Sequence, residues 1–161
     1  MSRLLIIYHS RTGGSEAMAR AAFDAARAEC ATTLVQAHEV TVAQMLGASG
    51  YIFCCPENLA TVSGAMKEFF DRSYYPLLGK IEGRGYATMI CAGSDGENAV
   101  RQISRIATGL RLRQVQEPII VNTNAQTPEA ILAPKSLTPA QLQPCQDLGA
   151  AFGAGLSMGM F

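Results

Sequence analysis

The sequence predicts an α/β fold: three layers, doubly wound, with a five-stranded parallel sheet covered by helices on both faces. Three observations carry this. Apolar, β-branched runs alternate strictly with segments of helical period along the 161 residues. The first run, Leu4 to Tyr8, is apolar at every position, the mark of a strand buried on both faces. No repeat, low-complexity tract or linker interrupts the alternation, so one domain over residues 1–161 is expected.

Each element has its own warrant. After Tyr8 the chain breaks into His9-Ser-Arg-Thr-Gly-Gly-Ser15, and a helix is expected from Glu16 to Glu29, where Ala17, Met18, Ala21, Ala22 and Ala25 recur at helical spacing. Small alanines there let the helix lie close to a sheet. Thr32 to Ala37 reads as a second strand, Val42 to Leu46 as a short helix, and Gly50 to Cys55 as a third strand that Pro56 should end. Beyond the loop from Pro56 to Ser63, Ala65, Met66, Phe69 and Phe70 form the apolar face of a helix reaching about Leu78. Gly85 to Ala92 is the fourth strand, and Ser94 with Glu97 has capping-box spacing ahead of a helix carrying Val100, Ile103, Ile106, Ala107 and Leu110. Leu112 to Asn122 is the fifth strand, with Pro118 pointing to an edge position where a missing N–H breaks no internal ladder. Thr123 to Ser136 is irregular. Thr138, Pro139 and Gln141 then open a last helix to about Ser157, in which Pro144 should cause a kink or restart, and Gly149 and Gly153 suit close packing on the sheet.

Composition narrows the function classes. Thirteen basic and thirteen acidic residues give a formal net charge of +0, which offers no electrostatic footprint for nucleic acid or an anionic membrane. No apolar run reaches the length of a membrane span and no leader-like segment precedes the first strand, so a cytoplasmic location is expected. The five cysteines, with no C-x-x-C pair, suit buried thiols in a reducing compartment; no metal site is expected.

The chemistry gathers in loops. A buried strand feeding a glycine-rich turn at a helix N-terminus brings unpaired N–H groups and the positive end of the helix dipole to one point. Ser10, Thr12 and Ser15 add hydroxyl donors and Arg11 adds charge, so the stretch reads either as a phosphate cradle or as a plain tight turn; it is neither G-x-x-x-x-G-K-[ST] nor G-x-G-x-x-G. Two three-layer strand orders compete at this length. In the order 2-1-3-4-5 the loops after strands one, three and four, namely His9 to Ser15, Pro56 to Ser63 and Gly93 to Asn98, converge where the winding reverses. That arrangement suits a flat ring with a phosphate tail.

On these residues the sequence resembles the flavodoxin-like superfamily, in its branch of NAD(P)H-dependent FMN reductases and quinone reductases. Ser10-Arg-Thr-Gly-Gly-Ser15 is similar to the superfamily's S/T-x-T-G-x-T loop, and Pro56 to Arg72 is similar to its most specific block, P-x-y…[ML]-[SP]-[AG]-x-[ML]-K-x-[FW]-x-[DE]-R. The resemblance implies the order 2-1-3-4-5 and FMN as cofactor, with its phosphate on Ser10, Arg11, Thr12, Gly13, Gly14 and Ser15. It further implies that Pro56, Glu57, Asn58 and Leu59 border the isoalloxazine, with Gly93, Ser94 and Asp95 at its pyrimidine side. NADPH or NADH would be the transient donor and a quinone or free flavin the small-molecule acceptor, with no catalytic residue from the protein. Members are often dimers or tetramers, and Thr123 to Ser136 is long enough to serve as a lid or subunit contact. The chain departs from many members in having no aromatic residue between Pro56 and Ser63, so Leu59 or Val62 is expected to cover the ring. A flavodoxin-type electron carrier, or a binding module that has lost FMN, is the alternative. A phospho-acceptor receiver or a cysteine phosphatase is disfavoured, because Cys54-Cys55 ends the third strand and Ser10 to Ser15 holds no cysteine.

Overall fold

The alternation of apolar runs and amphipathic segments folds into a twisted parallel sheet between two layers of helices, in a computed structural model that describes residues 1–161. In chain order the elements are β1 (Arg3–Tyr8), α1 (Gly14–Ala26), β2 (Ala31–Gln36), α2 (Val42–Gly47), β3 (Gly50–Asn58), β4 (Thr61–Val62) and α3 (Gly64–Leu77). They continue with β5 (Gly85–Ala92), α4 (Glu97–Gly109), β6 (Arg113–Gln114), β7 (Ile119–Asn122), α5 (Pro128–Leu132) and α6 (Pro139–Ser157). The sheet runs β2-β1-β3-β5-β6, with β7 also on β5 and all of these pairs parallel. This is the expected order 2-1-3-4-5, with the fifth strand in two pieces.

Three local expectations are corrected, each for a physical reason. The fifth strand is not continuous from Leu112 to Asn122: between the pairs Tyr86↔Gln114 and Met89↔Ile119 the edge chain uses more residues than β5, and the surplus, Pro118 included, leaves the ladder. Pro56 does not end the third strand, since it pairs with Cys91 and the strand continues into an antiparallel hairpin through Glu57↔Val62 and Asn58↔Thr61. β1 stops pairing at Tyr8↔Cys54, so beyond that point β3 has no neighbour on the β1 side for a proline to deprive of a bond. Pro144 does not interrupt α6, which is helical from Pro139 to Ser157. The N–H it lacks would have served Ala140, an exposed residue of the first turn whose carbonyl water can satisfy. The start of that helix is as read, a capping box of Thr138 and Gln141 with Pro139 in its first turn.

Alternation along the strands divides the core. Leu5 and Ile7 of β1, with Tyr51, Phe53, Tyr86 and Ile90, face α3 and α4 in one cluster rich in aromatic rings. Leu4, Ile6, Ile52 and Met89 face α1 and α6 in the other. The glycines of α6 serve close packing, but against a helix: a Cβ on Gly149 would stand 2.2 Å from the carbonyl oxygen of Ala22 in α1. The two helices therefore touch backbone to backbone over the Ala-rich face of α1.

Candidate functional site

Where β1, β3 and β5 end at their carboxyl edge, the chain encloses a cleft of about 320 Å3, lined by Arg11, Thr12, Pro56 to Ala60, Cys91 to Ser94, Thr123, Ala125, Ile131 and Lys135. β1 lies between β2 and β3, so this is the point at which the winding of the sheet reverses. Of the residues singled out in the sequence, Arg11, Thr12, Pro56, Glu57, Asn58, Leu59, Gly93 and Ser94 line the cleft, while Ser10, Gly13, Gly14 and Ser15 form the turn behind it. Asp95 lies outside the lining; its Oδ1 accepts from the Glu97 N–H at 3.2 Å.

The first loop is shaped by its glycines. Gly13 sits in the left-handed region at φ 102°, where its carbonyl accepts the first helical bond, from the Ala17 N–H at 3.0 Å. Ser10 Oγ accepts from the Gly13 N–H at 3.0 Å, which closes the turn. Gly14 lies against β5, and a Cβ there would come within 2.5 Å of Cys91 Sγ. The N–H groups of Gly14, Ser15 and Glu16, the first three of α1, have no acceptor in the protein. Ser15 is 2% exposed and its Oγ is a buried side-chain polar atom without a hydrogen-bond partner. An unsatisfied hydroxyl of this kind costs roughly 1–3 kcal/mol and calls for an explanation.

The opposite wall is the β3–β4 hairpin. Its two turn residues, Leu59 and Ala60, have φ 51° and φ 63°, the left-handed pair that a tight hairpin needs and that Asn-Gly would adopt with less strain. Leu59 is 97% exposed at the tip. Val62 is buried in the aromatic cluster, so of the two residues expected to cover a ring only Leu59 is free to do so. Three bonds tie the hairpin to α4: Glu57 Oε2 accepts from Gly96 N–H at 2.6 Å, Asn98 Nδ2 donates to Ala60 O at 2.7 Å, and the Val62 N–H donates to Gln102 Oε1 at 2.7 Å. The capping box expected of Ser94 and Glu97 does not form. The residue that precedes α4 is Gly96 at φ 97°, which makes Glu97 the first helical residue, and the Glu97 N–H goes to Asp95 Oδ1 while Glu57 takes the Gly96 N–H.

Beneath the hairpin and outside the cleft lining, His9 Nδ1 lies 2.8 Å from the Oγ of the buried Ser63. Burial, with His38 and Arg11 nearby, holds the imidazole below its usual 6.5. Burial also pushes the Cys55 thiol up to about 12 against the hydrogen bonding of Ser63, and raises Cys91, which the cationic Lys135 partly opposes. These thiols are not nucleophiles at neutral pH.

With this geometry in view, the family model described as NADPH-dependent FMN reductase matches residues 2–127, which include both walls. The chain belongs to that family. A flavodoxin of Aquifex aeolicus is 36% identical over 86 residues, a stretch covering 52% of this chain and 46% of that protein, so the chain matches about half the length of this curated relative. Among solved structures, a flavodoxin from the domain Archaea superposes at TM-score 0.77 with 16% identity, covering 96% of this chain and 98% of that one. A WrbA-like protein of Agrobacterium tumefaciens gives 0.72 with 18% identity over 99% of each chain. The rubredoxin oxygen:oxidoreductase of Desulfovibrio gigas gives 0.77 with 16% identity, covering 99% of this chain but 37% of that one. At such identities these structures establish the flavodoxin-like fold.

The family's sequence signature does not contain everything the cleft does. Lys135, Ile131 and Ala125 reach it from the stretch read as irregular, whose centre is the short helix α5, with no buried residue. Asn98 closes the third loop named above, and Gln102 is a polar position at the margin of the apolar face of α4.

Proposed function

We propose that the cleft holds FMN and that the protein is an NAD(P)H-dependent oxidoreductase serving a small acceptor such as a quinone or a free flavin. The observation that carries this is the buried, unpartnered Ser15 hydroxyl beside three free N–H groups at the start of α1, a donor set suited to a phosphate dianion at a helix N-terminus. Family membership supports the same reading.

The residues present fit the group. Thr12, Gly14 and Ser15 would hold the phosphate, with Ser10 and Gly13 shaping the turn and Arg11 adding charge at its exposed rim. Pro56 to Leu59 would border the ring on one side and Gly93 and Ser94 on the other. Bound there, the flavin supplies the hydride chemistry, and the protein contributes position and polarity. With Leu59 as the one large apolar side chain at the hairpin tip, and no aromatic lid, one ring face stays open to a nicotinamide. The net charge of +0 also favours an enzyme over a carrier, since carriers that dock basic partners gain from a strongly acidic surface.

The test is the visible spectrum of the purified protein with FMN, followed anaerobically through addition of NADPH or NADH. Bound flavin that bleaches supports the reductase and names its donor. Bound flavin that stays oxidised with both would make the protein a carrier, the reading favoured by the Aquifex flavodoxin match. No binding at micromolar FMN overturns the cofactor assignment.

A further inference from the structure

From Thr123, four residues before the family model ends, the chain crosses the mouth of the cleft and returns to the first loop at Lys135. Its near end is fixed by the Thr123 N–H, which donates to Ala92 O at 2.8 Å, and by Ala125, whose carbonyl lies 2.7 Å from where a Cβ on Gly93 would stand. The far end is fixed at Lys135, whose N–H donates to Thr12 O at 2.8 Å. Between these anchors α5 buries nothing. The strap thus touches the protein at the two loops of the site and little else.

Lys135 does more than anchor. Its Nζ donates to Ile131 O at 2.8 Å and Ala133 O at 2.7 Å, so a carbonyl of the last turn of α5 and that of the residue capping it hold the ammonium in place. The third donor goes to Thr12 Oγ1 at 3.3 Å. A hydroxyl that accepts from an ammonium keeps its own proton for another partner, and Thr12 Oγ1 makes no other hydrogen bond in the protein. Thr12 and Lys135 both line the cleft. The result is a fixed positive charge one atom behind a hydroxyl aligned as a donor, in a molecule whose overall charge is zero.

We infer that Lys135 is a positioning residue for a phosphate monoester: through Thr12 and by its charge it makes the first loop select the phosphorylated flavin over riboflavin. The inference rests on the cofactor reading above and specifies which part of the cofactor the strap reads. Removal of the ammonium leaves the backbone anchor at Thr12 intact, because that bond uses the main-chain N–H.

The experiment titrates wild type, K135Q and K135R with FMN and with riboflavin, at low and high salt, by quenching of flavin fluorescence. In K135Q the affinity for FMN should fall by about tenfold, the loss of a charge-assisted contact, with riboflavin unchanged and a shallower salt dependence. K135R should restore most of the preference. An FMN-to-riboflavin ratio in K135Q equal to that of wild type overturns the inference. Thermal stabilisation by inorganic phosphate separates the two claims. If wild type ignores both flavins yet is stabilised by phosphate in a Lys135-dependent way, the flavin reading fails and the role of Lys135 stands. Phosphate stabilisation that is the same in K135Q fails the role of Lys135 alone.

Discussion

At the Thr12 end of the cleft the groups proposed to meet a ligand are main-chain N–H groups and a buried hydroxyl, placed by the start of a 13-residue helix packed on the sheet. At the Leu59 end they sit on a two-residue turn with strained dihedrals, held by three hydrogen bonds to α4, two of them through α4 side chains. The first end is fixed by the path of the chain. The second is fixed by contacts that single substitutions remove, and an element of that kind opens at low free-energy cost. Phosphate recognition should therefore fail abruptly when disturbed, while ring binding should weaken by degrees and without regard to the phosphate.

The largest effect is expected from Thr12→Asp. Its carboxylate would take the Lys135 ammonium and repel a phosphate dianion, so FMN affinity should drop by about a hundredfold or more while riboflavin changes little. Equal losses for both ligands would show that the two ends are not independent. Glu57→Ala is the matching cut at the hairpin. Loss of the bond to the Gly96 N–H should weaken FMN and riboflavin by the same factor, about fivefold, and lower stability by about 1 kcal/mol in urea titration; a change in the ratio of the two ligands would contradict the division of labour.

Smaller effects sharpen the contrast in stability. Ser15→Ala removes an unsatisfied buried hydroxyl and should raise the stability of the flavin-free protein by about 1 kcal/mol while weakening FMN. A destabilised, flavin-competent variant would mean the hydroxyl has some other partner. Ala60→Gly relieves the positive φ at the turn and should stabilise by about 0.5–1 kcal/mol with flavin binding nearly unchanged, as read from thermal melts with and without FMN.

The smallest effect concerns pH. The His9 imidazole is held below 6.5 in the folded state, so the unfolded chain takes up its proton first as the solution is acidified. Its contribution to stability is complete above 6.5 and is lost as pH falls through the lowered folded value. His9→Asn should flatten that part of the urea-midpoint curve. Parallel curves for the two proteins would assign the acid limb to other groups.

How far the sequence was legible follows the same division. The strand order and the first loop were readable because their causes are local: a two-sided apolar strand, glycines at a helix start, hydroxyls within six residues of one another. The hairpin was read as a loop because Leu59 and Ala60 lack turn chemistry, and Pro56 masked a strand that continues past the end of its β1 neighbour. The capping box at Ser94 and Glu97 does not form because α4 begins at Glu97 itself, behind the left-handed Gly96, and the Glu97 N–H goes to Asp95 Oδ1. Lys135 had no local signal at all, since its partner Thr12 lies 123 residues earlier.

The backbone contact between α6 and α1 bears on how the molecule is made. Leu4, Ile6 and Ile52 form one face of the central strands, and the Phe152 ring that seals them belongs to a helix synthesised a hundred residues later. On the ribosome, a chain emerging through Leu132 would hold the complete sheet with one apolar side covered by α1 alone. Gly149 gives no latitude in how that side is closed, because only an unsubstituted α-carbon lets the late helix seat on Ala22. The growing polypeptide is thus most prone to stick to its neighbours when the first three loops of its cleft are already out, and release from that hazard waits on the arrival of a single helix.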